Sequence, residues 1–234
     1  MGRPPVDRWG VTAELHPLVG GHRNLAFKTL GLQRELVFKT TRRTTAAILW
    51  LVQVQQIARQ HGFVVPELIE SRWGQLIEDG WTCETHVEGA SFAPEEMPAI
   101  LPLISGFHAA TADLPQRPGF LSSLALLNEV SGGDVDLDAM PVQLVSRCRE
   151  AWRGVQDRKE AVIHGDLNPG NLIRCSDGRT ALIDWDECRR DLVLFDLGTL
   201  REGDEAERKA RLAWEVACSW LVEPDHAKQV ATHL

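Results

Sequence analysis

Apolar and polar positions alternate in short runs through the first forty residues, with turn residues between the runs. Thr12 to Val19 alternates weakly, Gly20-Gly21 breaks it, Leu25 to Leu30 resumes, Gly31 interrupts, and Leu36-Val37-Phe38-Lys39-Thr40 follows. Strand, glycine turn, strand, turn, strand predicts an antiparallel meander. The period then changes. Ile48, Leu49, Leu51, Val52, Val54, Ile57 and Ala58 fall on helical spacing, with Thr44 or Thr45 suited to the N-cap and Gly62 to the position past the end. Pro66 bars continuation. Two more strands are predicted at Gly74 to Ile77 and Trp81 to Val87, around the turn Glu78-Asp79-Gly80.

The second half reads as helical. Glu95 to Leu114 has helical spacing, with Pro98 and Pro102 near its start, and Pro115 and Pro118 mark a loop. Met140 to Gln156 is a second helix with Pro141 in its first turn, and Glu205 to Leu221 is a last one. Between them, Ala161 to His164 and Thr180 to Asp184 are short apolar runs beside His164-Gly165-Asp166 and the turn Ser176-Asp177-Gly178. The pattern predicts an α+β chain of two lobes. Residues 1–88 form a small antiparallel sheet with one helix, and residues 89–234 are mostly helical, with a hinge near Glu84 to Gly89.

Composition narrows the partners. The chain has 234 residues, 44% of them hydrophobic, enough to bury one sizeable core or two small lobes. The formal net charge of -8 argues against nucleic acid and membrane surfaces, which are polyanions. No apolar run approaches the roughly 18 residues of a membrane span, and MGRPPVDRWG lacks the apolar core of a secretion signal. Five scattered cysteines without C-x-x-C spacing fit free thiols in a reducing compartment, so a cytoplasmic protein is expected. Asp134, Asp136 and Asp138 alternate as in a calcium loop, but Ala139 and Val145 stand where glycine and glutamate are needed. They read as a solvated acidic loop, and His108 reads as a helix-packing histidine.

The chemistry concentrates in one stretch. His164, Asp166 and Asn171 have the H-x-D-x-x-x-x-N spacing of a kinase catalytic loop. An aspartate can accept the proton of an attacking hydroxyl, and an asparagine oxygen five residues on can hold a metal that bridges phosphates. Asp184 ends an apolar strand after a Ser-Asp-Gly turn, where a kinase carries its second metal ligand. Asp186 is as well explained by a hydrogen-bonding role as by a metal contact. Lys39, flanked by apolar residues on a predicted strand, is costly to bury unpaired, and nucleotide phosphates would supply its partner.

Gly20-Gly21-His22-Arg23-Asn24, Lys39, HGDLNPGN at 164–171, Ile183-Asp184-Trp185-Asp186 and Asp196-Leu197-Gly198 together resemble the aminoglycoside phosphotransferase and choline kinase-like family, over roughly residues 10 to 200. The resemblance implies a bilobal protein-kinase-like fold and transfer of a phosphoryl group from ATP or GTP to a small-molecule hydroxyl. It implies Asp166 as catalytic base, Asn171 and Asp184 as Mg2+ ligands, and Lys39, Gly21 and Asn24 at the phosphates. Glu84 and His86 lie in the segment that would meet the base through backbone groups, and His164 and Asp196 would brace the catalytic loop. The acceptor is left open between an aminoglycoside, an amino alcohol, a sugar, a homoserine-like amino acid and a nucleoside. Asp186, Glu187 and Asp191 would suit an amine-bearing one. A monomer or homodimer is expected.

Two features depart from that family. No Asp or Glu lies between Thr40 and Pro66, where a kinase helix carries the glutamate that pairs with its lysine, so either Glu35 or another carboxylate substitutes from elsewhere or Lys39 is less well fixed. The tail after Asp196 is short for the family. Both features keep open a nucleotide-binding module without turnover. A protein kinase is disfavoured, because Asp196-Leu197-Gly198 follows Asp184 too closely for an activation segment.

Overall fold

The computed structural model describes residues 2–18 and 24–234. Its first sheet is an antiparallel meander of β1 (Glu14–Leu18), β2 (Ala26–Leu30), β3 (Leu36–Thr40) and β4 (Trp81–Thr85), in that spatial order. Successive side chains on β3 face opposite ways. Phe38 turns into a small core with Cys83, Trp81 and Trp9, its ring edge-on to Trp9 at 5.4 Å. Lys39 therefore points to the other face, on a strand paired on both sides, opposite Ala26 and Thr82.

Helix α1 (Thr45–Gln60) starts where the sequence predicts. Thr44 caps it by accepting a hydrogen bond from the Ala47 N–H, and Gly62 leaves the helix at φ +99. The expected strand at Gly74 to Ile77 is instead a turn. The Ser71 hydroxyl accepts from Trp73 N and Gln75 N, and Gly74 takes φ +71, which curls the backbone away from a ladder.

The chain then enters the larger lobe through β5 (Ala90–Ser91). The expected helix at Glu95 to Leu114 is divided. Pro98 and Pro102 restrict it to a 3-10 turn over Pro94–Ile100, followed by α2 (Leu101–Ala110). A small hairpin of β6 (Ser131–Gly132) and β7 (Val135–Asp136) precedes α3 (Val142–Arg153). Four short strands carry the chemistry: β8 (Glu160–Ile163), β9 (Leu172–Arg174), β10 (Thr180–Leu182) and β11 (Arg189–Leu192). They pair as β10-β9-β5 and β11-β8. The chain ends in α4 (Leu194–Leu197), α5 (Glu205–Ser219) and α6 (Pro224–Ala231); α6 lies beyond the helix predicted from spacing. Among the described residues, no helix is long and apolar enough to cross a membrane.

The main core joins the lobes. Leu51, Val54 and Ala58 of α1 pack with Ile104 and Phe107 of α2, Leu172 and Leu182 beside the chemical loops, and Trp185. The strands that carry the site are thus clamped between helices from both halves.

Gly89, immediately before β5, holds φ +153, and a Cβ there would stand 2.2 Å from the Arg174 carbonyl oxygen. Gly31 is also left-handed, at φ +90, but in open space. Gly31→Ala should cost about 1 kcal/mol from backbone strain alone. Gly89→Ala should cost clearly more, roughly 2 kcal/mol or above, because backbone must move as well. Urea denaturation of the two variants checks the order; equal losses would contradict it.

Candidate active site

Strand β8 leads directly into His164, Gly165 and Asp166. Asp166 is exposed, and its carboxylate is oriented by two amides. Asn168 Nδ2 donates to Oδ1 and Asn171 Nδ2 donates to Oδ2, each at 2.9 Å. Asn168 Oδ1 meanwhile accepts from Gly170 N and Asn171 N, capping the short turn Pro169–Asn171, whose proline presets the first dihedral. Asn171 also donates to the Asp166 carbonyl oxygen, so both its amide hydrogens are committed and Oδ1 is left as an oxygen donor.

Behind this loop lies Asp196, fully buried. It accepts from His164 N at 2.8 Å, from Gly165 N at 2.9 Å and from His108 Nε2 at 2.9 Å. Burial pushes this carboxyl up, but His108 and the backbone donors outweigh it and hold it below the usual carboxylate range. Asp196 thereby ties the His164-Gly165 turn to α2. His108 is buried in α2 and, beyond packing there, is the side-chain partner of the buried carboxylate. His164 braces a second loop, its Nε2 lying 2.9 Å from the Ile183 carbonyl oxygen and its ring edge-on to Trp185 at 5.0 Å. Gly165 has a steric reason. At φ +88, a Cβ would lie 2.6 Å from the Glu187 carbonyl oxygen and 2.9 Å from a guanidinium nitrogen of Arg189.

The Asp184 loop is bonded directly to this one. Ile183 N donates to the Asn171 carbonyl oxygen at 3.0 Å, which sets Asp184 beside Asn171. Asp184 holds φ +62, a left-handed conformation that is uncommon without glycine and is found at functional sites. Its Oδ1 lies 3.5 Å from Lys39 Nζ, across the cleft. Lys39 also meets Glu84 Oε1 at 2.8 Å. Burial pulls this ammonium down, yet Glu84 and then Asp184 hold it above the ordinary lysine range. The lysine's missing partner is therefore Glu84. Glu35 is engaged elsewhere, accepting from the Thr29 hydroxyl and Gly31 N.

Asp186 is engaged by three donors. Arg43 donates to both of its oxygens, at 3.1 and 2.8 Å, and Asn24 Nδ2 adds a third contact at 3.3 Å. Asp184 is the more exposed of the two, its side chain 46% exposed against 24% for Asp186. The other face of Arg43 holds Asp134 at 3.0 and 2.6 Å, so Asp134 is a buried anchor and not part of a solvated loop. Asp191 is also withdrawn from any acceptor, fully buried on Arg189 and Ser123. Arg117, fully buried between Pro115 and Pro118, donates to the carbonyls of Asp186 and Cys188 and to that of Ala47 in α1. It pins the Asp184 loop to the helix, and lies over the Phe120 ring, as does Arg43.

The residues expected at the nucleotide are placed as follows. Gly21 lies outside the described residues. Asn24 turns its amide to Asp186, and Glu84 turns its carboxylate to Lys39. The His86 N–H donates to the Glu35 carbonyl at 2.8 Å as an extension of the ladder, so it is not left for a base. The donor set fits magnesium. Asn171 Oδ1 and the half-exposed Asp184 carboxylate offer hard oxygens in the small number that Mg2+ takes from proteins, phosphates and water supplying the rest.

His108→Leu should cost roughly 3 kcal/mol, because it leaves the buried Asp196 charge short of a donor. Asp196 is depressed in the folded state, so its stabilisation is present above its unfolded value, near pH 4, and is lost as pH falls through the lower folded value. The stability gap between the wild type and Asp196→Asn should therefore narrow in acid. Denaturant unfolding at neutral and acid pH checks both; a gap that widens in acid would contradict the assignment.

A family model described as the phosphotransferase enzyme family matches residues 14–217. No curated protein matches the sequence. Among solved structures, a microcompartment-associated aminopropanol kinase is 15% identical with a TM-score of 0.66, over 97% of this chain and 91% of that one. A macrolide 2'-phosphotransferase from Brachybacterium faecium is 14% identical with a TM-score of 0.61, over 98% and 95%. A thermostable variant of an aminoglycoside phosphotransferase, solved with ADP and hygromycin B, is 13% identical with a TM-score of 0.62, over 97% and 94%. The fold is the protein-kinase-like one, and the chain belongs to the phosphotransferase enzyme family, as a small-molecule phosphotransferase.

Proposed function

We propose that this phosphotransferase moves the γ-phosphoryl group of ATP or GTP to a hydroxyl of a small molecule, in the crevice between residues 1–88 and 89–234. One observation carries the reading. Lys39 of the sheet lobe and Asp184 of the helical lobe approach to 3.5 Å, and Asn171 and Asp166 are bonded together on the same side.

Magnesium would be held by Asn171 Oδ1 and Asp184, and when bound it neutralises charge on the phosphates. Lys39 binds and orients the phosphates from above. The acceptor oxygen forms a bond to the γ-phosphorus as the bridging P–O bond breaks and the nucleoside diphosphate leaves. The hydroxyl proton passes to the Asp166 carboxylate, which Asn168 and Asn171 aim into the cleft. Positioning and charge stabilisation supply most of the rate, because the transition state is loose.

Asp191 is buried on Arg189 and Asp186 is bonded to Arg43, so both carboxylates have internal partners and speak only weakly for a cationic acceptor. An amino alcohol still heads the panel to be tried, given the similarity to an aminopropanol kinase. Glu84, 2.8 Å from Lys39, supplies a carboxylate where the helix has none, which supports turnover over a binding module.

Asp166→Asn should lower turnover by about a hundredfold or more while the KM for ATP stays within a few-fold. Acceptor-dependent ADP release, screened over small alcohols with magnesium, is the measurement. Turnover near that of the wild type would remove Asp166 as the base.

A further inference from the structure

Protein kinases pair their phosphate-binding lysine with a glutamate on the helix that follows it. Here that helix, α1, carries no acidic residue. Gln55 is the polar side chain that α1 buries in the cavity also lined by Lys39 and Glu84. The carboxylate comes from the neighbouring strand. Lys39 stands opposite Thr82 in the β3–β4 ladder, and Glu84 lies two residues along β4 on the same face. Such diagonal neighbours are about 7–8 Å apart, within reach of two long side chains. Their charged ends meet at 2.8 Å, with the side chains only 23% and 14% exposed.

The pair is internal to one sheet. Backbone hydrogen bonds between β3 and β4 fix both ends, whereas a helix-borne partner moves with its helix. Lys39 has a second carboxylate, Asp184, on the far side of the cleft. Without Glu84, the ammonium would rest on Asp184 alone and occupy the oxygen that a metal needs.

We propose that Glu84 is the positioning residue for Lys39, standing in for the helix glutamate, so that strand register and not the position of α1 sets the lysine. This rests on the phosphotransferase reading above. A Glu84→Gln variant keeps the shape of the side chain and removes its charge. Moving the charge to α1, in Glu84→Gln/Gln55→Glu, restores the kinase arrangement inside the same cavity.

The test is the dissociation constant of AMP-PNP with magnesium chloride, measured by calorimetry, with melting temperatures as the folding control. Glu84→Gln should weaken binding at least tenfold, and the double variant should recover to within about threefold of the wild type. Glu84→Asp, one methylene short, should fall between them and serves where Glu84→Gln does not fold. Binding by Glu84→Gln or Glu84→Asp within twofold of the wild type would overturn the proposal, as would a folded double variant with no recovery. A wild type that binds no nucleotide would overturn the phosphotransferase reading itself, whereas binding that ignores these substitutions would overturn only the role of Glu84.

Discussion

A lysine ammonium on a central strand must be paired, because an isolated charge withdrawn from water costs several kcal/mol. Lys39 is paired twice, with Glu84 in its own sheet and with Asp184 in the opposite lobe. That bridge ties the arrangement of the sheet to the arrangement of the loops. If Lys39 turned into the small core with Phe38, the crevice would have no cation above the phosphate position. If Asp184 left its left-handed conformation, the bridge and the oxygen beside Asn171 would both be lost.

Buried donors and acceptors do the rest of the positioning. Asp196 gathers two backbone N–H groups and His108, which fixes the turn that presents Asp166. Arg117 gathers backbone carbonyls from the Asp184 loop and from α1, so both sides of the cleft refer to one guanidinium. Arg43 bridges Asp134 and Asp186, and Arg42 lies 3.7 Å from Asp134 as a second cation. Several acidic side chains around the site are thus structural ions with internal counter-ions, and the net charge says little about the acceptor. Each of these groups would be costly alone and is tolerable because its partners converge.

Much of this was legible in the sequence, for physical reasons. The meander and α1 follow from a change of period from two to 3.6, punctuated by glycines and a capping threonine. HGDLNPGN is legible because its residue types act locally. Gly165 admits the Glu187 carbonyl, Asn168 caps, Pro169 presets the turn and Asn171 holds Asp166. Contacts between distant segments were not legible. Glu84 as the partner of Lys39, Arg43 across the lobes and His108 under Asp196 join residues far apart in the chain, and no spacing encodes them. Arg117 leaves a faint signal, an arginine between two prolines. Strands β9 and β11 are too short for periodicity, and the turn at Gly74 was set by the Ser71 hydroxyl.

A structure with AMP-PNP and magnesium tests the geometry most directly. Phosphates are predicted under Lys39, with the metal between Asn171 Oδ1 and Asp184 and with Asp186 still held by Arg43. A nucleotide bound outside the crevice between β3 and the Asp184 loop, or a metal on Asp186 in place of Asp184, would contradict it.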